Sequence, residues 1–123
     1  FRKSHPAVHR ARFFSGAMNE RGMPDISWHG TKLNEPGWND PHARALAWTV
    51  AGSLAHSDIH VMVNMYWEPL TFEIPQIYER AWYTAVNTAM PSPQDINAPG
   101  NEVLVNSHHV EVSGRSIVVL ISR

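Results

Sequence analysis

Acidic side chains are the first residues to consider, because two suitably placed carboxyl groups can perform general acid and base catalysis. The 123-residue sequence contains 11 Asp and Glu residues, yet no motif places two of them across one scissile bond. The simpler interpretation is that these acids are solvated strand or loop positions. This applies to Glu68, Glu73, Glu79, Glu102 and Glu111. The G-x-S-x-G, P-loop and H-E-x-x-H motifs are also absent. The sequence therefore predicts no catalytic residue.

Eight histidines raise the question of a metal site. His5 and His9 are spaced i, i+4, but Pro6 lies between them, and the neighbours His108 and His109 would point to opposite faces of a strand. The chain has no cysteine and no carboxylate at ligand spacing from these histidines. We therefore expect surface or hydrogen-bonded histidines, no bound metal and no cofactor.

The five tryptophans are more informative. Trp48 and Trp82 fall within strand patterns and are predicted to be core residues. Trp28, Trp38 and Trp67 lie in or beside loops. Two interpretations stay open for these three, because exposed indoles are typical both of sugar contacts and of packing against another domain.

Composition narrows the class of partner. Ten basic and 11 acidic residues give a formal net charge of −1. This balance argues against nucleic acid or an anionic membrane as the main binding partner. No apolar stretch approaches the roughly 20 residues that span a bilayer, and the first residues lack the apolar region of a signal peptide. The absence of cysteine fits a reducing compartment. We expect a cytoplasmic protein, or a plastid protein if the source is a plant.

Alternation of apolar residues with period two predicts that the chain is all-β. Strands are predicted within 45–50, 59–66, 70–74, 82–88, 103–106, 109–112 and 117–121. We interpret 59–74 as a hairpin that turns near 67–69, and Ser113-Gly114 as the turn between the last two strands. About seven or eight short strands favour an antiparallel β-sandwich, with a closed barrel as the alternative.

The first residues differ from the rest. A short helix is predicted after Pro6 and would end near Gly16. A helix of this length needs a surface to pack on, so we interpret the chain as a piece of a longer polypeptide. The expected division is a helical remnant of an upstream domain over 1–16 and a β-sandwich domain over 17–123.

Several segments, in order along almost the whole sequence, resemble the C-terminal end of isoamylase-type glycogen debranching enzymes of the α-amylase superfamily. The matching segments are RKSHP with the following basic and aromatic residues (2–14), DISWHG (25–30) with Trp38, NMYWEPLTFEIP (64–75), Trp82 with Thr88, and RSIVVL (115–120). One departure is Asn87, where the family pattern has Asp.

This resemblance implies that the chain is a non-catalytic C-terminal domain. The family's catalytic carboxylates belong to an upstream barrel, so no residue here inherits a catalytic role. The parent enzyme would hydrolyse α-1,6 branch bonds of glycogen or related α-glucans and would need no organic cofactor.

Two functions remain for the domain itself. It could pack against the catalytic barrel and stabilise it, or it could be a carbohydrate-binding module that holds α-glucan on exposed tryptophans. The docking interpretation is preferred, since the aromatic residues occur near the barrel exit and within strands as often as on free loops. Candidate residues for either surface are Phe13, Phe14, Trp28, His29, Trp38 and Trp67.

Overall fold

The computed structural model describes residues 23–34, 44–52, 57–77, 80–90, 95–97 and 102–123. This part of the chain forms only β-strands, turns and loops. The strands are β1 (Ile26–His29), β2 (Ala45–Val50), β3 (Ile59–Asn64), β4 (Leu70–Glu73), β5 (Trp82–Asn87), β6 (Val103–Leu104), β7 (His109–Val112) and β8 (Ser116–Ser122). The predicted N-terminal helix, Phe13, Phe14 and Trp38 lie outside the described residues.

The strands form two antiparallel sheets. A large sheet has the order β1-β2-β3-β8-β5-β6, and a small sheet pairs β4 with β7. The predicted all-β antiparallel sandwich is therefore confirmed. β8, the last of these strands in sequence, lies in the middle of the large sheet between β3 and β5.

The main core lies between the two sheets. Successive side chains of a strand point to opposite faces, so every second residue of the large sheet meets the small sheet. The buried core residues are Ala47, Met62, Trp82, Val118 and Leu120 from the large sheet, with Phe72, Ile74 and Val112 from the small sheet and its flank. Trp82 is thereby confirmed as a core residue, and its indole N–H donates to the carbonyl of Pro75 at 2.6 Å.

The predicted hairpin over 59–74 is wrong. β3 pairs with β2 and β8, whereas β4 pairs with β7, so the segment between β3 and β4 carries the chain from the large sheet to the small one. The turn signal near Pro69 marks a change of direction, but the apolar residues on either side of it belong to different layers. A crossover of this kind places the two strands in different sheets of the sandwich, whereas a hairpin would leave them in the same sheet.

The crossover is held by the buried side chain of Asn64. Its amide nitrogen contacts the carbonyl oxygens of Glu68, Val112 and Ser113 at 2.9, 3.0 and 3.2 Å. Its amide oxygen accepts from the backbone N–H of Tyr66 at 2.9 Å. One side chain thus satisfies backbone groups both on the crossover and on the turn that leads from β7 to β8.

That turn, 113–115, lies directly against the crossover. The backbone N–H of Arg115 donates to the carbonyl of Tyr66 at 2.8 Å. A Cβ atom added at Gly114 would lie 2.2 Å from the carbonyl oxygen of Trp67 and 2.6 Å from its carbonyl carbon. Glycine is therefore required at 114 because two backbones meet there.

We expect Gly114→Ala to lower the free energy of unfolding by at least about 2 kcal/mol, because backbone rather than a flexible side chain must move. Arg115→Gly is the matched control in the same turn. Arg115 has a φ of 52°, which glycine adopts readily, so its stability should change by less than about 1 kcal/mol. Urea denaturation of both variants tests this, and equal stability of Gly114→Ala and wild type would contradict the close approach.

Candidate functional site

The face of the large sheet that points away from the small sheet is almost entirely apolar. We call it the outer face, and the strand registers arrange it in three cross-strand rows. The rows are Ile26, Val50, Ile59 and Ile121; Trp28, Trp48, Val61 and Val119; and Leu46, Val63 and Ile117. Tyr83 and Val86 of β5 extend the first two rows. A sheet face in contact with water would normally carry polar side chains.

Exposure increases across these rows. Val50, Ile59 and Ile121 in the first row are buried. Trp28 at the end of the second row is 40% exposed, and Ile117 in the third row is 39% exposed. The outer face is therefore covered at one end and accessible at the other, and its accessible end carries large apolar side chains. Such a patch is typical of a surface that packs against another domain.

The predicted tryptophan sites differ in their surroundings. Trp28 lies in β1, not in a loop, and its ring centroid is 5.8 Å from that of Trp48 with an interplanar angle of 48°. Trp67 lies in the crossover, is 66% exposed, and its ring is inclined at 49° to that of Tyr66. Neither pair presents two coplanar rings to solvent. Flat stacking of a glucan chain across either pair is therefore unfavourable.

His29, a surface candidate in the sequence, is instead buried in the sandwich. Its neighbour Trp28 points to the outer face, so His29 points inward, where it is only 3% exposed. The backbone N–H of Asn34 donates to His29 Nδ1 at 2.8 Å. His29 Nε2 lies 3.0 Å from the hydroxyl oxygen of Thr49. The side chain can contact neither a sugar nor another domain.

A second buried histidine continues this series of hydrogen bonds. His60 Nδ1 lies 2.8 Å from the Thr49 hydroxyl oxygen, and the rings of His29 and His60 are 5.6 Å apart. Since His29 Nδ1 accepts from Asn34, the neutral ring carries its proton on Nε2 and donates to Thr49. We assign the Thr49 hydroxyl as donor to His60 Nδ1. Within this cluster, the buried Nε2 of His60 then has no hydrogen-bond partner.

Burial determines the charge of both histidines. It lowers the pKa of His29, and it lowers the pKa of His60 to about 3, with a smaller contribution from the charge of His29. Both rings are therefore neutral at neutral pH. The arrangement is a structural polar cluster, because its members are sealed from any substrate.

Three carboxylates of the described chain, those of Asp58, Glu73 and Glu102, have structural partners. Asp58 is fully buried; it accepts from the backbone N–H of Gly52 at 2.8 Å, from the Ser122 hydroxyl at 3.0 Å and from Arg80 at 3.1 Å. Glu73 accepts from the backbone N–H of Leu33 at 3.1 Å. Glu102 pairs with Arg123. These acids connect strands and loops to one another.

Among the residues that the structure describes, no group of three or more His, Asp or Glu side chains is arranged to hold a metal ion. Within the same residues, no helix has the length and hydrophobicity that crossing a bilayer requires.

Sequence reasoning missed the buried polar residues. Thr49 in β2, and His60 and Asn64 in β3, lie on the inner face of the large sheet. All three are more buried than the apolar Val61 and Val63. The available signal was in β2, where both sets of alternate residues are largely apolar: Leu46, Trp48 and Val50 form one set, and Ala45 and Ala47 with Thr49 form the other. That pattern indicates a strand covered on both faces, where isolated polar residues need internal partners.

The fold and its surface define this protein as a β-sandwich domain whose large sheet has a partly accessible apolar face. The family described as "Isoamylase, C-terminal" matches the sequence over residues 25–121. The chain belongs to this family of isoamylase C-terminal domains.

Individual relatives agree with the family match. The isoamylase of Flavobacterium sp is 29% identical over 135 aligned positions, which cover 100% of this chain and 17% of that protein. The isoamylase of Pseudomonas amyloderamosa is 28% identical, with coverage of 100% and 16%. Isoamylase 2, chloroplastic, of Oryza sativa subsp. japonica is 26% identical, with coverage of 72% and 13%. The chain thus spans only a small fraction of the length of these relatives.

The buried histidines predict that the sandwich loses stability in acid. The unfolded chain binds protons at these rings below a pKa of 6.5, whereas folded His60 resists protonation down to about 3. The free energy of unfolding should therefore have its full value above pH 6.5. It should fall as the pH decreases from 6.5 towards 3, by up to about 1.4 kcal/mol per pH unit for one such group.

His60→Gln removes the titrating group, and its amide oxygen can still accept from the Thr49 hydroxyl. Urea denaturation at pH 7 and pH 5 should show a smaller pH effect in this variant than in wild type, by about 1–2 kcal/mol. His109→Gln, the same replacement at an exposed position, is the control for the substitution itself. Equal pH effects in wild type and His60→Gln would show that His60 is not kept neutral by the fold.

Proposed function

We propose that this chain is the non-catalytic C-terminal domain of an isoamylase-type debranching enzyme and that its outer face packs against the catalytic domain of the same polypeptide. The parent enzyme would hydrolyse α-1,6 branch bonds of glycogen or related α-glucans. The single observation that carries the docking proposal is the accessible end of the apolar outer face. The three relatives support the proposal that the chain is one part of a longer enzyme, because it aligns with 17% or less of the length of each.

Docking follows from the energetics of the exposed rows. Burying apolar surface contributes about 25 cal/mol per Å², and Trp28, Leu46, Val63 and Ile117 would all lose water contact against a second domain. No charged residue interrupts these rows, so docking would leave no unpaired charge within them. Phe13 and Phe14, near the end of the predicted N-terminal helix, are further proposed contacts with the catalytic domain.

The proposed absence of catalysis rests on the carboxylates. The buried acid Asp58 is paired with Arg80 and bonded to Ser122, and Glu102 is paired with Arg123. Glycoside hydrolysis needs one carboxyl group to protonate the leaving oxygen and a second across the bond. Groups that are engaged within the fold are poor candidates for both tasks.

The alternative is a carbohydrate-binding module with exposed tryptophans. Trp67 favours it by its exposure, since its indole is accessible and lies beside the polar Glu68. The inclination of its neighbour Tyr66 argues against a flat two-ring platform. Trp28 is one member of a continuous apolar patch, which is the arrangement that docking requires.

The isolated chain is expected to release no reducing sugar from glycogen, because its sequence has no motif that places two carboxyl groups across one glycosidic bond. The full-length parent should release it under the same conditions. A reducing-end assay on highly purified chain measures this, with heat-treated chain as the control. Heat-sensitive hydrolysis by the chain alone would contradict the proposal.

Ile117→Lys is expected to separate docking from folding. In the isolated chain the lysine stem can lie along the sheet with its charge in water, so the free energy of unfolding should change by less than about 1 kcal/mol. In the full-length enzyme the ammonium group would be buried against the catalytic domain without a partner, at a cost of several kcal/mol. Thermal unfolding and limited proteolysis of the full-length protein should then show a loosened C-terminal domain.

Thr71→Lys provides the matched control, since Thr71 is exposed on β4 in the small sheet. It adds the same charge away from the outer face and should be neutral in both proteins. Equal effects of Ile117→Lys in the chain and in the full-length enzyme would contradict docking through the outer face.

A further inference from the structure

A small open pocket lies at the margin of the sandwich, away from the rows of the outer face. Its volume is about 220 Å³, and it is formed by two connections, one leading from β4 into β5 and the other from β6 towards β7. The first contributes Gln76, Arg80 and Trp82, and the second contributes Asn106, Ser107 and His108. Pockets for drug-sized ligands have volumes of about 300 Å³ or more. The smaller volume of this pocket suits a single small ring.

The walls of the pocket are fixed by backbone hydrogen bonds on either side of it. The N–H of Val105 donates to the carbonyl of Trp82 at 2.8 Å, and the N–H of Ile74 donates to the carbonyl of His108 at 3.0 Å. The indole N–H of Trp82 ties Pro75 to the same region. A ligand would therefore find the two connections already held together and would need to order little of the chain on binding.

The chemistry of the lining favours an uncharged polar ligand. The one permanent cation, Arg80, pairs with the buried carboxylate of Asp58 at 3.1 Å, so its charge is largely compensated. Gln76, Asn106, Ser107 and His108 supply both donors and acceptors. Asn106 and His108 are exposed, and their side chains form no hydrogen bond to another described residue. Several polar donors and acceptors around a small volume match the hydroxyl groups of a sugar ring.

We propose that this pocket binds one glucosyl unit at the end of an α-glucan chain. That the sugar comes from an α-glucan rests on the proposed function, whereas the preference for a neutral sugar ring rests on the pocket alone. The site is separate from Trp28 and Trp67, and it requires no stacked aromatic platform. It would hold substrate near the enzyme while the outer face is occupied by the catalytic domain.

The test is a titration of the isotopically labelled 123-residue chain with maltose, followed by amide NMR shifts. Saturable shifts are expected at Gln76, Arg80 and 106–108, with a dissociation constant in the millimolar range. Asn106→Ala and His108→Ala each remove polar contacts from exposed positions and should weaken binding about tenfold or more. His109→Ala, at an exposed neighbouring position that does not line the pocket, should bind as wild type does.

Inorganic phosphate and glycerol, titrated in the same way, distinguish the ligand classes. Shifts of the same amides with phosphate but not with maltose would identify an anion site and overturn the proposal. Equal shifts with glycerol and maltose would overturn it as well, because no sugar ring would then be recognised. No shift at tens of millimolar maltose, or shifts confined to Trp28 or Trp67, would also be decisive against it.

The outcome is separable from that of the docking experiment. Maltose binding at the pocket combined with equal effects of Ile117→Lys in the chain and in the full-length enzyme would overturn docking alone. Loosening of the full-length enzyme by Ile117→Lys without maltose binding would overturn the pocket alone.

Discussion

The contact between the crossover and the turn at 113–115 is the constraint on which the sandwich depends. At this point the chain leaves the large sheet, and a later segment passes back into the large sheet from the small one. Asn64 satisfies carbonyl groups of both segments, and Gly114 allows their backbones to touch. If either were replaced by an apolar residue of ordinary size, buried backbone groups would lose partners or the two layers would have to separate. The pairing of β4 with β7 follows from this junction, because it brings the two small-sheet strands out of the large sheet side by side.

The large sheet has different requirements on its two faces. The inner face buries His29, Thr49 and His60 among apolar residues, which is tolerable only because they bond to one another and to the backbone. The outer face contains no such polar cluster and is apolar along its rows. Its specificity for a partner would therefore come from shape and from the positions of large side chains such as Trp28. A fold with one polar-stabilised interior and one plain apolar face is well suited to be covered by a second domain.

Local pattern predicted seven of the eight described strands and missed β1, because alternation and turn residues act within a few positions of each other and β1 has only four residues. It could not predict how the strands pair. The signal around Trp67 to Pro69 is the same whether the chain reverses into a hairpin or crosses between layers, and the contacts that hold the crossover come in part from the distant turn at 113–115. The burial of His29 could not be predicted for a related reason, since the face to which a strand residue points depends on how that strand pairs. The family resemblance was confirmed because it relied on ordered segments and did not depend on pairing. Phe13, Phe14 and Trp38 stay predictions.

The central place of β8 has a consequence for how the domain is made. β3 and β5, which flank it, are joined only through this later strand, so a growing polypeptide that has not yet reached 116–122 has two separate half-sheets with open edges. Such edges are prone to pair with other chains. The large sheet can close only after nearly all of its sequence has left the ribosome, and most of its contacts are then formed between distant segments. The edges of β3 and β5 therefore stay open to unwanted pairing until their shared neighbour β8 has been made.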